Sequence, residues 1–561
     1  MQTKSRFIKI LLGIVCVMLI TSCAAQSVEP TVTNEETPAE ENVVVEESVV
    51  EEPALKVLRG TVTTTPETLD PARAAGENDL MIFVNIYETL IVPSEIDMSP
   101  EPFLATEWTS NEDGTQWLFK LRDDVKFADG NSLTAEDVKY TFDRLLGIGE
   151  GAAYIFVDIL ESTNVVDQHT VEFVLSESFG PFISTLTNVP ILNSTLVKAN
   201  STKEGLYGEN GDYGTTYLLS NSAGSGPYVI SEFNIHDTMV LEKNPNYWRE
   251  IPSEAPDKVE LRELVEPSTT KLLMSSNEVD YVHGHQDQVT INALTTSDGI
   301  LAANFPEAGL NYFMINTKKS PTDDVHIRRA LSYATDYEQM RSIYGDMPEA
   351  SGPVPPSVFG HSDAFEAFTY DLEKAKAEIA ASKYADNLAE YPISLDYIQG
   401  NGDTGKLIYL LGSALEGLGF TVAINETPWV QFCNNEAEID TSPNVTNLFA
   451  TAPYSEAGSI LEFKYASWST GNWNQNEWLL DDNFDSMLRE SLSIVDQEDR
   501  VAKYAEIQQY LVEDVVPSIY TFVSVIRPVY NSNVFEWRGT PGNKYHAALE
   551  YNFYYLEFVM K

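Results

Sequence analysis

The stretch GSGPYVISEFNIHDTMVLEKNPNYW, residues 224–248, predicts two short strands joined by a turn. Its opening Gly-Ser-Gly-Pro suits a tight turn, because glycine accepts positive φ and proline fixes the backbone that follows. Residues 227–233 alternate apolar and polar side chains as a half-buried strand does, and residues 238–244 form a second strand after a polar turn. A second turn then carries Tyr247 and Trp248. Local physics alone therefore predicts a β-hairpin between two turns.

The residues before this hairpin predict further strands and two helices. Residues 80–91 are apolar on a helical period. Residues 117–128 alternate as a strand and run into an Asp-Gly turn. Thr134 stands three residues before Asp137, which is the spacing of a capping box at the start of a helix.

The residues after the hairpin predict alternating helices and strands. A short helix ends near Asn277, a residue that tolerates left-handed backbone. Residues 311–336 predict a strand and a helix capped by Asp323 or Asp324. Residues 393–427 read as strand, helix and strand, a unit that predicts a parallel pair. Two amphipathic helices and an apolar strand pair, within residues 484–529, are expected near the end.

Six of these stretches, in this order, resemble the motifs of the bacterial extracellular solute-binding proteins of the peptide/nickel type, family 5. The hairpin resembles the family's G-x-G-P-Y…N-P-x-Y-W signature. Residues 121–138 resemble its L-R-x-x-V-x-F-x-D-G-x-x-x-T-A-x-D-V segment, and residues 311–336 resemble its F-N…P…A-L-x-x-A-x-D segment. The resemblance runs from about residue 55 to residue 529.

The resemblance implies an α/β fold of the periplasmic-binding-protein-like type II, with two lobes, an extra domain, mixed sheets and a hinge-bending cleft. Domain I, the first lobe, would be discontinuous and built from residues 55–97, 220–312 and 520–561. Domain II, the extra domain, would cover residues 98–219. Domain III, the second lobe, would cover residues 313–519.

The resemblance also implies a substrate-binding protein of an ABC importer. Such a protein captures a small solute in the interdomain cleft, with oligopeptide as the first expectation, and delivers it to the membrane permease. An oligosaccharide binder of the same family and a ligand sensor without transport stay open as alternatives. We expect a monomer without a cofactor and not an enzyme, since the sequence has no G-x-S-x-G elbow, H-E-x-x-H motif or glycine-rich phosphate loop.

The amino-acid composition argues against some classes of binding partner and site. The net charge of −50 argues against nucleic acid, because a phosphate backbone requires clustered Lys and Arg. The three cysteines are Cys16, Cys23 and Cys433. Only Cys433 falls in the globular body, so neither a disulfide framework nor a metal–thiolate cluster is expected there.

The N-terminus predicts an exported protein tethered to the membrane. Residues 1–23 combine a basic start with an apolar run too short for a comfortable membrane span, and they resemble a lipoprotein signal peptide. That resemblance implies cleavage before Cys23 and a lipid anchor on its thiol, on the outer face of the cytoplasmic membrane. Residues 24–54 hold many glutamates and no Lys or Arg, which predicts a disordered acidic linker.

The identity of the ligand is expected to depend on residues 447–474. Peptide binders of the family usually carry an aspartate just before the tyrosine that corresponds to Tyr454, where it pairs with the peptide's α-ammonium. Pro453 occupies that position here. Glu456 is a candidate substitute from a shifted position, and Tyr454 a candidate ligand contact.

Aromatic side chains in the same region favour sugar stacking as the alternative. Trp468 and Trp473 are the better cleft candidates, because they lie among Ser, Thr, Gly and Asn residues such as Asn472. Trp429 is a further candidate, although it and Trp478 are equally consistent with a core.

Two histidines, His283 and His285, stand one residue apart and could point the same way from a strand. No third ligand stands at supporting spacing, so no metal site is expected. Pocket-lining polar residues and ordinary surface histidines are both consistent with the pattern.

Overall fold

The computed structural model describes residues 54–73, 76–264, 266–284, 286–345, 347–537 and 553–561. Leu55–Lys561 form one compact unit. The predicted signal peptide and Cys23 lie outside the described residues, as does the acidic linker apart from Ala54.

Twenty strands and fifteen α-helices lie in the described part of the chain. The strands are β1 Val57–Val62, β2 Ile91–Pro93, β3 Pro100–Pro102, β4 Ala105–Ser110, β5 Gln116–Leu121, β6 Leu160–Asp167, β7 Thr170–Leu175, β8 Tyr228–Asn234, β9 Thr238–Lys243, β10 Lys258–Glu263, β11 Tyr281–Val282, β12 Ile300–Ala302, β13 Phe305–Ile315, β14 Ile393–Ile398, β15 Val422–Thr427, β16 Val445–Thr451, β17 Ser518–Ile526, β18 Val529–Asn531, β19 Phe535–Glu536 and β20 Val559–Met560. The α-helices are α1 Glu77–Ile86, α2 Ala135–Ile148, α3 Phe182–Thr185, α4 Ser194–Asn200, α5 Thr215–Leu218, α6 Pro267–Ser275, α7 Gln288–Leu294, α8 Val325–Ala334, α9 Tyr337–Ile343, α10 Leu372–Ala381, α11 Gly402–Gly417, α12 Trp429–Glu436, α13 Ala457–Tyr465, α14 Asp482–Ser493 and α15 Gln497–Gln509.

Three larger sheets organise these strands. The seven-stranded sheet has the order β12-β18-β11-β1-β10-β9-β8, and the five-stranded sheet has the order β15-β14-β16-β13-β17. The four-stranded sheet, β4-β5-β7-β6, comes from the segment between β1 and β8. The first two sheets mix parallel and antiparallel pairs, as the predicted fold class requires. The boundaries between the three predicted domains stay a prediction.

Two adjacent crossings connect the seven-stranded sheet to the five-stranded sheet. Ala302 pairs with Val529 in the first sheet, and Phe305 pairs with Ile526 in the second. Between these pairs the two crossings are joined to each other by a backbone hydrogen bond of 2.9 Å. Paired crossings of this kind can act as a hinge, since a few residues absorb the change in backbone angles.

These crossings overturn one prediction. Residues 516–529 were expected to form a strand pair, but β17 and β18 lie in different sheets. The reason is that Arg527 and Pro528 between them pass from one sheet to the other, so the two strands never lie side by side.

The helix predicted over residues 80–91 ends early. α1 stops at Ile86, and Tyr87 has an extended backbone with φ −125° and ψ 164°. Glu88 is fully buried just beyond this end. Periodicity could not reveal this break, because the residues that hold Glu88 come from the hairpin at 224–248.

Most local predictions are confirmed. β8 and β9 pair as the hairpin, and β14 and β15 pair in parallel. Asp137 accepts the backbone N–H of Thr134 at 2.9 Å at the start of α2. Asp324 caps α8. Asn277 has the left-handed backbone that its sequence position predicts, with φ 57°.

Candidate functional site

The carboxyl ends of the parallel strands mark the expected ligand position. Ligands of open α/β sheets lie outside these ends. Trp429 and Tyr454 follow β15 and β16 at this edge of the five-stranded sheet. The start of β13 lies at the same edge, because its Gly309 pairs with Thr451 at the end of β16. Trp429, Tyr454 and the crossings between the two sheets are therefore at one edge.

Tyr454 is buried at this edge and has an unpaired hydroxyl. Its ring packs edge-on against Phe179, with ring centroids 6.4 Å apart. Burial raises the pKa of Tyr454 well above its ordinary value, and the carboxylates of Glu462 and Glu456 raise it further. Among the described residues the hydroxyl has no hydrogen-bond partner. Since buried polar groups are nearly always paired, this hydroxyl is available to a ligand or to water.

Glu462, on α13, places a negative charge next to Tyr454. Its Oε1 accepts a 3.0 Å hydrogen bond from Nε1 of Trp468. Burial raises the pKa of Glu462, the Trp468 bond lowers it, and no described cation compensates the charge. A carboxylate that is partly buried without a cation pays a desolvation penalty when it ionises, and a bound cationic group would offset that penalty.

Tyr154 brings the segment that carries the four-stranded sheet to the same place. It lies on the 3₁₀ turn Gly151–Ile155. Its side chain is exposed, yet crowding by protein raises the pKa of its hydroxyl. That hydroxyl also influences the titration of Tyr454, so the two groups are near each other. An aromatic ring that is both open to solvent and surrounded by protein is typical of a cleft.

Trp468 is held by two polar contacts. The first is its hydrogen bond to Glu462. The second is a cation–π contact, in which the guanidinium carbon of Arg489 lies 4.2 Å from the centroid of the indole ring. The residue stays 42% exposed. This arrangement fixes the indole beside the Glu462 carboxylate.

Trp429 and Trp473 meet in an aromatic cluster. Their ring centroids are 5.7 Å apart, and Trp473 contacts Phe463 at 5.6 Å. Phe463 lies on α13, the helix that also carries Glu462, so the cluster packs against that helix. Trp429 is 45% exposed and is therefore not a core residue, whereas Trp478 is buried.

Glu456 is used inside the protein. It is fully buried, and its Oε1 accepts from Nε of Arg500 at 2.5 Å and from the hydroxyl of Tyr504 at 2.9 Å. Its Oε2 accepts from Ser184 at 2.7 Å. Both oxygens are thus occupied by the chain's own donors, and we do not carry Glu456 forward as the amine anchor.

The remaining candidates are His283, Asn472 and His285. His283 is buried, and its ring stacks on Phe553 at a centroid distance of 5.4 Å. Asn472 is exposed next to Trp473. His285 lies outside the described residues.

Sequence reasoning missed Glu462 and Tyr154. Glu462 is one of 85 acidic residues, and nothing in its neighbourhood along the chain distinguishes it. Tyr154 lies 300 residues before Tyr454 in the sequence numbering, so only the tertiary fold brings them together. The one available signal was an apolar helical face interrupted by a glutamate in residues 457–465.

Within the described ranges, no group of three or more His, Cys, Asp or Glu side chains is arranged to hold a metal ion. Cys433 is a free thiol. In the same part of the chain, every helix is too short or too polar to span a membrane.

Comparison with known proteins agrees with this architecture. The model of the bacterial extracellular solute-binding proteins, family 5 (middle), matches residues 99–471, which is more than half of the chain. The chain is 28% identical over 482 residues to the Escherichia coli K12 protein named "Probable D,D-dipeptide-binding periplasmic protein DdpA", covering 84% of this chain and 89% of that protein. It is 26% identical over 486 residues to the periplasmic oligopeptide-binding protein OppA of the same strain, covering 81% and 85%.

The fold also resembles a solved structure. The crystal structure of the ABC transporter substrate-binding protein CtaP from Listeria monocytogenes superposes with a TM-score of 0.76 at 19% identity. The match covers 90% of this chain and 99% of that chain. At this identity the likeness establishes the fold, which is that of the type II periplasmic binding proteins.

Proposed function

Because the chain belongs to family 5 of the bacterial extracellular solute-binding proteins, we propose that it captures oligopeptides for an ABC importer and delivers them to the membrane permease. The two crossings between the seven-stranded and five-stranded sheets would serve as the hinge. A ligand closes such a hinge only to the extent that it binds the closed state more tightly than the open state.

The observation that carries the peptide assignment is the carboxylate of Glu462. It is partly buried, has no described cation partner, and lies beside the unpaired hydroxyl of Tyr454. A peptide's α-ammonium supplies the missing positive charge, and a charge-assisted hydrogen bond to a carboxylate is among the stronger polar contacts. A neutral oligosaccharide would leave the Glu462 charge uncompensated.

The ligands for which two relatives are named also support a peptide ligand. The two Escherichia coli relatives described above are named for D,D-dipeptides and oligopeptides. Glu462 would take over the role that an aspartate has in peptide binders of this family and that Pro453 cannot fill.

Oligosaccharide binding is the second candidate, and the half-exposed Trp429 favours it. Its ring and that of Trp473 form an aromatic surface that packs on Phe463 of α13. The same surface also suits an apolar or aromatic side chain of a peptide, because aromatic rings pack on both.

We further propose that the protein works as a monomer, anchored through lipid on Cys23 to the outer face of the cytoplasmic membrane. A Cys23→Ala variant should then be released from the membrane fraction. Cys433→Ala is the matched control and should stay membrane-bound. Retention of the Cys23→Ala variant in membranes would contradict the anchor.

A thermal-shift and calorimetry screen tests the ligand class. Di- to pentapeptides with a free amino group should stabilise the protein, by about 2.7 kcal/mol at a concentration of 100 times Kd. N-acetylated versions of the same peptides should bind at least tenfold more weakly, because they lack the ammonium. Stabilisation by oligosaccharides or nickel chelates, and not by peptides, would overturn the assignment. A sensor would bind the same peptides but support no uptake in cells.

A further inference from the structure

A second cavity lies away from Glu462 and has the size of a small-ligand site. Its volume is about 540 Å³, within the range of ligand pockets. Its wall includes Phe103, Trp248 and Tyr554, and its polar lining includes Arg249 and Glu101. We call it the Arg249 cavity.

Arg249 supplies a cation to this cavity, and inside the protein it interacts with the hydroxyl of Tyr247 and the buried carboxylate of Glu88. It makes no ion pair with any described residue, and its guanidinium lies 5.7 Å from the ring centroid of Trp248. Arg122 lies 4.3 Å from the same ring, but its Nε and Nη2 donate to Asp124 at 2.9 and 2.7 Å. The Arg122 charge is therefore neutralised by a direct ion pair, whereas Arg249 has no such pair with a described residue and can still donate to a ligand in the cavity. A guanidinium binds a carboxylate with two parallel hydrogen bonds.

Acidic groups also line the cavity. Glu95, Glu101 and Glu557 all contribute to the lining. With these groups in a chain of net charge −50, a simple anion would be repelled. A ligand with both a carboxylate and an ammonium has no net charge to be repelled, and it can place each group against its opposite.

The wall of the cavity is rigidly held. The hydroxyls of Tyr554 and Tyr247 are 3.0 Å apart, and the Tyr247 hydroxyl donates to Glu88 at 3.1 Å. Nε1 of Trp248 also donates to Glu88, at 2.8 Å. Two of the three aromatic residues of the wall, Trp248 and Tyr554, are thus linked to one buried carboxylate, so the cavity does not need to form on ligand binding.

From this combination we propose that the Arg249 cavity is a second binding site, for a free amino acid with an apolar side chain. The carboxylate of the amino acid pairs with Arg249, its ammonium faces Glu101, and its side chain packs on Phe103 and Tyr554. The site is separate from the one at Glu462, so it does not depend on the proposed peptide function.

Calorimetry with L-phenylalanine and L-leucine tests the proposal. The wild-type protein should bind one of them with micromolar to millimolar affinity, and Arg249→Gln should lower that affinity at least tenfold. Arg262→Gln is the matched control, because Arg262 is exposed and likewise has no ion pair with a described residue. It should bind as the wild type does. Arg249→Lys should recover part of the affinity, because it restores the charge without the bidentate geometry.

Two further sets of binding measurements test where and how the amino acid binds. N-acetyl-phenylalanine lacks the ammonium and phenylalanine amide lacks the carboxylate, so both should bind more weakly than phenylalanine. A Glu462→Gln variant should keep its affinity for the free amino acid. Absence of binding to the wild type would overturn the proposal. So would equal affinity of Arg249→Gln, undiminished binding of the N-acetyl compound, or loss of binding in Glu462→Gln.

Discussion

Nε1 of Trp248 donates a 2.8 Å hydrogen bond to Oε2 of Glu88, which joins the end of the hairpin at 224–248 to the residue just beyond α1. The same carboxylate accepts from the hydroxyls of Ser225 at 2.7 Å and Tyr247 at 3.1 Å. Three donors from the hairpin thus converge on one fully buried glutamate. Both ends of the hairpin are therefore packed around the Glu88 carboxylate.

Replacing Glu88 with alanine should therefore destabilise the protein strongly. The buried hydroxyl of Ser225 and the partly buried donors of Tyr247 and Trp248 would lose their acceptor, and an unpaired buried polar group costs about 1–3 kcal/mol. We expect a loss of about 3–5 kcal/mol in the free energy of unfolding, measured by urea denaturation. Trp248→Phe removes only one of these bonds and should cost less. Equal losses in the two variants would contradict this account.

The protonation of Glu88 should make stability depend on pH. Burial raises the pKa of Glu88 to about 7 in the folded protein, although Ser225, Trp248 and Tyr247 lower it. The folded state therefore binds more protons than the unfolded state between the ordinary glutamate pKa and about pH 7. The contribution of Glu88 to stability is fully present below that window and is lost as the pH rises through it.

The measurement compares the wild type with Glu88→Gln. The free energy of unfolding of the wild type, relative to the variant, should fall between pH 5.5 and pH 8, by at most about 1.4 kcal/mol per pH unit. A difference that stays constant over this range would show that Glu88 titrates at its ordinary pKa.

Glu456 leads to a third prediction. Its carboxylate and the Arg500 guanidinium form a buried ion pair, and Ser184 donates to the same carboxylate from 272 residues away in the chain. Glu456→Ala should cost about 3–5 kcal/mol, because Arg500 would be left buried and unpaired. The double variant Glu456→Gln with Arg500→Leu should recover part of that loss. A loss below about 1 kcal/mol for Glu456→Ala would show that the pair is open to solvent.

The contrast between Asn277 and Glu456 shows what the sequence could predict. Turns, caps and strand pairs depend on residues a few positions apart, so the capping box at Thr134 and the left-handed Asn277 were accessible to sequence reasoning. The partners of Glu456, Glu88 and Tyr454 are distant in the chain. Tertiary packing decides whether a glutamate forms an ion pair with an arginine or stays without a cation. In so acidic a chain, the presence of a glutamate at a given position therefore says almost nothing about whether it belongs to a binding site.

Glu462 provides the last and most specific prediction. Burial raises its pKa, so keeping it ionised at neutral pH opposes folding. Glu462→Gln keeps an acceptor for Trp468 and removes the charge, so the variant should melt at the same temperature as the wild type or higher at pH 7.5. Its affinity for peptides with a free amino group should nevertheless fall at least tenfold, because the ammonium loses its counter-ion.

A matched variant and the pH profile separate this role from a structural one. Glu490→Gln, on α14, removes a charge from an exposed pair with Lys503 and should change neither property. Peptide affinity of the wild type should decline as the pH falls through the raised pKa of Glu462, since only the carboxylate attracts the ammonium. Glu462→Gln should lack this decline. If the variant loses stability and affinity together, Glu462 supports the fold, and the ammonium-binding role fails.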